Sequence, residues 1–296
     1  MEETVPLDGA IDVHTHVGPS PFDRRVNGFE CAMEVANAGM GGVVLKKHHL
    51  PTTASTPYID RLLSREGADV DVIGSAVLNY CNGGFNPFVV QSTIDAGAGV
   101  VWGPTLDARN HAERTGELGA FFGVDAGPEY EGKTGITAFD DDGDLREDVR
   151  LCIEKIVDND VVLALGHLSN KETHAITEYA ADLGNKKVLI DHPEYPVTDL
   201  NGEQQAELVS LGATLNFPFL SVSAEYGWSS AKRIADCIRS VGIENCVVSS
   251  DVGQLTTPSA PEGLRSLGRQ LLDEGFSIAD FKALVKTNPK RLLGVE

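Results

Sequence analysis

The sequence predicts an α/β protein built as one (β/α)8 barrel, with an insertion after the fourth strand and a closing helix at the C-terminus. Three observations lead there. Short apolar runs rich in Val, Ile and Leu recur, each followed by a polar or glycine-containing turn and a stretch with helical periodicity. The runs fall near Ile11, Gly42, Asp71, Gly99, Val161, Lys187, Ala213 and Cys246, at intervals of 31, 29, 28, 62, 26, 26 and 33 residues, which is a βα unit repeated with one interruption. Runs such as VVLALG and CVVSS show no alternation of apolar and polar residues, as expected for parallel strands buried on both faces. About eight such units in roughly 250 residues match the size of this barrel. A doubly wound open sheet is the runner-up, but no glycine-rich dinucleotide fingerprint follows the first strand.

Taken in order, the first strand is IDVHTHVG and the second VVLKKHH; the third ends near Asn79 and the fourth reads VVWGPT. The 62-residue interval then holds an extra segment, residues 106–144, rich in Gly and Asp and too long for a simple βα loop. It is expected to be a lid over the barrel mouth or a surface hairpin. Its acidic run Asp140 to Asp144 does not fit a calcium loop, because the sixth position is Leu145 where the sharp turn needs glycine, so a solvated hairpin turn is expected. The fifth, sixth and eighth strands end in LALGHLS, LIDHP and VSSDVGQ. The last stretch, SIADFKALVKTNPKRLLG, opens on Ser277 as N-cap with Asp280 three residues on, and is expected to form a helix closing the barrel. No linker separates a second domain, so residues 1–296 form a single domain in this reading.

Composition narrows the partners. The chain of 296 residues has 44 Asp plus Glu against 24 Lys plus Arg, a formal net charge of −20. Such a surface repels phosphate backbones and anionic lipid, which argues against nucleic acid and membrane as partners. The acidity is spread along the chain, as in the solvated carboxylate surfaces of halophiles. The N-terminal MEETVPLDGAID has neither a basic nor an apolar stretch, and no apolar run approaches the ~18 residues of a membrane span. The five cysteines are scattered without a CxxC pair, which suits buried thiols in a reducing cytoplasm. A small-molecule substrate and a cytoplasmic location are therefore expected; homo-oligomers are common among such barrels, but no interface signal stands out.

The chemistry gathers at the strand ends. In a parallel barrel these ends and the loops after them form the active face. His14 and His16, two residues apart on the first strand, project to one face, where two imidazoles can share a cation at ~2.0–2.1 Å. His167 ends the fifth strand, His192 the sixth and Asp251 the eighth. Several buried imidazoles brought together need an acceptor for their lone pairs, and a divalent metal is one. Imidazoles with one carboxylate favour zinc, with manganese, iron or cobalt as alternatives.

HTH on strand one, histidines after strands five and six, an aspartate after strand eight and the closing NPKRLLG together resemble the amidohydrolase superfamily of metal-dependent hydrolases, from Ile11 to Gly294. Finer strings (HVGPS, GGFNP, VVWGPT, GHLS, SSDVGQ) are similar to a branch whose domain has no assigned function. The resemblance implies His14, His16, His167, His192 and Asp251 as metal-site residues, and Asp251 as the general base that takes a proton from a metal-activated water and delivers it to the leaving group. One feature departs from the pattern. Binuclear members carry a bridging carboxylated lysine or glutamate at the end of strand four, where VVWGPT offers neither. On strand two Lys46 and His48 share one face and Lys47 and His49 the other; Lys46 and His48 are expected inside. Lys46 is then either carboxylated, bridging two ions, or a cation holding an anionic substrate group, so the site takes one ion or two. Asn79, Thr105, Asn216 and Gln254 stand at strand ends facing the pocket, Arg109 and His111 reach in from the insertion, and His174, within a helix, has no role.

The function expected is hydrolysis of a small amide, ester, lactone or phosphoester. The alternatives are a nonhydrolytic metal-dependent decarboxylase, for whose acid substrate Lys46 and Arg109 are suited, a barrel that binds a metal or metabolite without turnover, and a PHP-type phosphoesterase, against which the late aspartate and the NPKRLLG helix argue.

Overall fold

A computed structural model describes residues 5–120 and 127–295. Its elements run β1 (Ile11–His16), α1 (Gly28–Asn37), β2 (Gly42–Lys46), α2 (Thr56–Glu66), β3 (Asp71–Val77), α3 (Pro87–Asp95), β4 (Ala98–Trp102), α4 (Arg109–Thr115), α5 (Glu147–Asp158), β5 (Val162–Leu165), α6 (Asn170–Asp182), β6 (Val188–Asp191), α7 (Gly202–Ser210), β7 (Thr214–Pro218), α8 (Ala231–Val241), β8 (Cys246–Ser249) and α9 (Ala260–Asp273). The eight strands are parallel and ordered β1 through β8. The first meets the chain just beyond the end of the last, where the His16 N–H donates to the Val252 carbonyl and the Asp251 N–H to the His14 carbonyl, both at 2.8 Å. The expected (β/α)8 barrel is therefore the fold.

The uninterrupted apolar strands divide their residues between two cores. Val44, Val77, Val100, Trp102, Val162, Ala164, Leu189 and Val247 fill the barrel interior. Their strand neighbours Val43, Leu45, Val101, Leu163, Ile190 and Val248 pack outward against the helices. This two-sided burial is why these strands lack polar alternation. Continuing the inward phase by two residues places Lys46 above Val44 and Asp191 above Leu189, so the upper layer of the barrel is polar and charged.

Strand β1 breaks the phase. Between Asp12 and Thr15 it spends one residue more than β2 does between Val43 and Leu45. This bulge lets Ile11 and Val13 point into the interior core while His14 and His16 also reach the axis. Asp12, fully buried, faces the other way and holds the bulge: its Oδ1 accepts from the His14 N–H at 3.1 Å and the Ser250 N–H at 3.0 Å, and its Oδ2 from the Thr15 hydroxyl at 2.7 Å.

The C-terminal stretch is helical but segmented: α10 (Ile278–Lys282), a π-helical turn Ala283–Thr287 and α11 (Asn288–Leu293). Ser277 caps α10 with Asp280 as its reciprocal partner, as expected. Leu292 joins the interior core from below, and the Asn288 amide donates to the carbonyls of Ile243 and Cys246. Within the insertion, Phe139 and Leu145 form an antiparallel bridge, and Asp140 Oδ1 accepts from the N–H groups of Asp142 and Asp144, which is a hairpin turn. The part of the insertion at 121–126 lies outside the described residues. No helix among the described residues is long and apolar enough to cross a membrane.

Candidate metal centre and active site

The barrel mouth holds a cavity of about 380 Å³. Its floor is His14, His16, Lys46, His48, His167, His192 and Asp251, all buried. Apolar and aromatic groups, Tyr195, Pro196, Val197, Leu220 and Trp228, make one wall, and His111, Thr115, Glu117 and Ala120 of the insertion make another. Six metal-site residues expected from the sequence thus surround one space, together with His48.

At its centre three atoms converge. His14 Nε2 lies 3.1 Å from His16 Nε2 and 3.0 Å from Asp251 Oδ1, and His16 Nε2 lies 3.1 Å from the same oxygen. The second oxygen of Asp251 accepts from the Tyr195 hydroxyl at 2.8 Å, which leaves Oδ1 facing the histidines. Two strand-end residues of the floor have left-handed backbone, Asp251 with φ 53° and His192 with φ 36°. Such conformations cost about 1–3 kcal/mol each and concentrate at functional sites. Two glycines make the approach: a Cβ on Gly253 would stand 2.2 Å from the His16 carbonyl oxygen, and one on Gly166 would stand 2.8 Å from His192 Cε1.

Hydrogen bonds from outside the cavity assign the ring protons. His14 Nδ1 lies 3.0 Å from Asp191 Oδ2 and 3.2 Å from Oδ1, while the Asn216 amide donates to Oδ1 at 2.6 Å. Burial pushes the Asp191 carboxyl up, but His14, His192 and Lys46 outweigh it and hold it well below the ordinary range. An ionised carboxylate only accepts, so His14 carries its proton on Nδ1 and presents the Nε2 lone pair inward. The Thr198 hydroxyl donates to the Gly166 carbonyl at 2.7 Å and therefore accepts, at 3.2 Å, from His192 Nδ1, which likewise leaves His192 Nε2 with a lone pair. Burial depresses His16, His48, His167 and His192 below the ordinary imidazole value, reinforced at His16, His48 and His167 by neighbouring cations and histidines and opposed at His192 by Asp191 and Asp251. Neutral rings with inward lone pairs beside a carboxylate are a donor set for a divalent cation, and His14 and His192 are each backed by an outer acceptor. Among the described residues, His14, His16 and Asp251 form a group whose ligand atoms, all within 4.8 Å of one another, could hold one. His192 stands farther from His14, at 6.4 Å between ring centroids against 5.0 Å for His16, and His167 lies 5.0 Å from His192.

Lys46 is buried with its ammonium 3.1 Å from His14 Nε2, 3.7 Å from Asp191 Oδ2 and 3.9 Å from the centroid of the Trp102 ring. Burial lowers its pKa, opposed by Asp191 and Asp251. Trp102 ends β4 and presents its indole face to Lys46 there.

The remaining expected residues separate. Asn79 and Thr105 lie behind the cavity wall: the Asn79 amide donates to the His48 carbonyl at 3.0 Å and to Thr105 Oγ1 at 2.9 Å, and Thr105 Oγ1 lies 2.9 Å from His48 Nδ1. Asn216 holds Asp191 from below. Gln254 is buried beside Thr257, away from the cavity. Arg109 is exposed at the start of α4 and does not line the cavity, whereas His111 does. On a helix, residues two apart point to nearly opposite sides, so only one of this pair can enter. The residues the sequence reasoning passed over are Asp191, Tyr195, Trp102 and Asp12. Asp191 was legible as the residue two beyond the inward Leu189; Asp12 required the bulge, which one sequence does not reveal.

The barrel fold is shared with solved structures that include an amidohydrolase, a lactonase and a decarboxylase. An amidohydrolase from Pseudomonas aeruginosa superposes with a TM-score of 0.59 at 12% identity, over 96% of this chain and 95% of that one. A lactonase from Listeria monocytogenes gives 0.61 at 11%, over 99% and 97%. A 2,6-dihydroxybenzoate decarboxylase complexed with 2,6-dihydroxybenzoate gives 0.54 at 11%, over 97% and 100%. No curated protein matches the sequence. Residues 9–216 match the model of the DUF6282 family, described as a family of unknown function, and the chain belongs to that family.

Proposed function

We propose that this protein is a metal-dependent hydrolase of a small amide, ester, lactone or phosphoester. The observation that carries the reading is the convergence of His14 Nε2, His16 Nε2 and Asp251 Oδ1 within 3.1 Å of one another, with the His14 ring protonated outward onto Asp191. His14, His16 and Asp251 hold the ion, with His167 and His192 supplying further lone pairs; zinc suits the donors best, manganese, iron or cobalt less well. The ion supplies a Lewis acid for the substrate's carbonyl or phosphoryl oxygen and a lowered pKa for water.

The chain's own residues do the rest. Asp251 takes the proton of the attacking water on Oδ1 and returns it to the leaving group, while the Tyr195 hydroxyl on Oδ2 holds its rotamer. Lys46 acts as an ammonium. A carboxylated lysine would set a negative group against the indole face of Trp102 and beside Asp191, where a cation is attracted by both. The reading therefore has one ion, with Lys46 neutralising charge on the substrate. Tyr195, Val197, Leu220 and Trp228 exclude water and pack the apolar body of the substrate. The buried ammonium also favours a second reading, decarboxylation of a small carboxylic acid, the reaction named for one structural neighbour.

Elemental analysis of the purified chain, before and after zinc loading, together with assays of esters, lactones, amides and carboxylic acids tests both. About one ion per chain, lost together with turnover in Asp251→Ala, is expected. Carbon dioxide release from an acid would select the second reading, and a chain that takes up no divalent ion would overturn both.

A further inference from the structure

His111 enters the cavity from α4 and meets His167, with the two Nδ1 atoms 2.9 Å apart and both side chains buried. A contact between two ring nitrogens at this distance needs a proton on one and a lone pair on the other. The rest of the His111 ring decides which. A hydrogen bond to the Ala120 backbone raises the His111 pKa in part, as an acceptor does, and with Nδ1 turned to His167 the Ala120 carbonyl falls to the other nitrogen, Nε2. A carbonyl only accepts, so the His111 proton sits on Nε2 and its Nδ1 bears the lone pair. The proton between the rings then belongs to His167 Nδ1, and the lone pair of His167 is left on Nε2. Burial keeps both rings neutral, holding His111 down to about 4 and His167 well below the ordinary value.

We propose that His111 is a positioning residue supplied by the insertion: hung from the Ala120 carbonyl, it fixes His167 in the Nδ1–H tautomer and leaves His167 Nε2 as the ligand atom for the cation. The inference rests on reading the cavity as a metal centre. It adds a division of labour. His14 takes its tautomer from Asp191, which ends β6, and His192 from Thr198, in the loop between β6 and α7. His167 takes its tautomer from the segment between β4 and α5, so the placement of that segment sets how well His167 binds metal.

The test uses the full chain, free of metal and labelled with ¹⁵N-histidine, in long-range ¹H–¹⁵N correlation spectra at pH 8, with His167→Gln to assign the resonances. Wild type is expected to show His167 as the Nδ1–H tautomer. His111→Ala is expected to shift it toward Nε2–H and to weaken zinc, measured by chelator competition, about 10- to 100-fold. His111→Asn, whose side-chain oxygen replaces the acceptor at Nδ1, is expected to restore the tautomer and most of the affinity. His167 found as Nε2–H in wild type, or unchanged in a folded His111→Ala, overturns the proposal. Wild-type tautomers as expected with no uptake of zinc would instead overturn the metal reading alone, because the spectra are recorded without metal.

Discussion

The two sides of the barrel mouth are built on different terms. On the β1 and β8 side, His14, His16 and Asp251 are placed by the sheet itself: a bulge, two backbone hydrogen bonds across the barrel closure, and Asp12 beneath them. On the β5 side, His167 follows its strand in a loop, and its partner His111 comes from an insertion that belongs to no βα unit. The first side brings three inward-facing ligand atoms to within 3.1 Å of one another, while on the second the 2.9 Å contact joins His167 to a partner from the insertion and not to another ligand. The contrast teaches that what holds a ligand in this site, sheet or insertion, follows its distance from the strand ladder. Metal affinity should therefore be anchored on one side and adjustable on the other.

Asp12→Ala breaks the comparison where it is strongest. The side chain is buried and its carboxylate accepts from two backbone N–H groups and one hydroxyl, all of which lose their acceptor. Each buried donor left unpaired costs ~1–3 kcal/mol, so a loss of about 3 kcal/mol or more in urea unfolding is expected. Because the same carboxylate holds the bulge that aims His14, zinc affinity should fall with stability, by at least the factor expected for His111→Ala. A variant that loses stability yet binds zinc as wild type does would show that the bulge does not aim the ligand.

Much of this was open to a reader of the sequence, and the limits follow from physics. The eight strands were legible because Val, Ile and Leu runs buried on both faces leave few other arrangements. His14, His16, His167, His192, Asp251 and Lys46 were legible because polar residues directly after such runs must emerge at the strand ends. Asp191 was masked by its neighbour: in LIDHP the histidine draws attention, although the aspartate occupies the inward position. His111 and Arg109 show the opposite difficulty, since both lie on one short helix and only tertiary packing selects which one enters. Tyr195 and Trp228 belong to loops, where no periodicity says which way a side chain turns.

A second prediction bears on the β6 side. Glu194 is buried, and burial, offset only in part by hydrogen bonds from Ser221 and its own backbone and by the charge of Arg233, raises its pKa to about 7. In the folded chain it therefore holds a proton that the unfolded chain releases near pH 4.5. More protons bound in the folded state means that stability falls as pH rises from about 4.5 to about 7 and is level above that. Over that window the loss amounts to about 3 kcal/mol. Glu194→Gln cannot titrate, so its unfolding free energy should lack this slope, as chemical denaturation across the window would register. An unchanged slope would mean that the carboxyl is solvated, and that the β6 side is looser than its burial indicates.

The smallest effect expected is the most pointed about the insertion. Arg109 and His111 are neighbours on α4, and the chemistry of an anionic substrate made Arg109 the more attractive of the two. With its side chain exposed and outside the cavity, Arg109→Ala should change stability by less than about 0.5 kcal/mol. Once a substrate is in hand, KM and kcat should stay near wild type, while His111→Ala alters zinc affinity. Should Arg109→Ala raise KM tenfold at unchanged kcat, the guanidinium must reach the substrate, and α4 would have to turn to bring it there. That turn would carry His111 away from His167, so a role for Arg109 in binding and a fixed tautomer at His167 cannot hold in the same conformation.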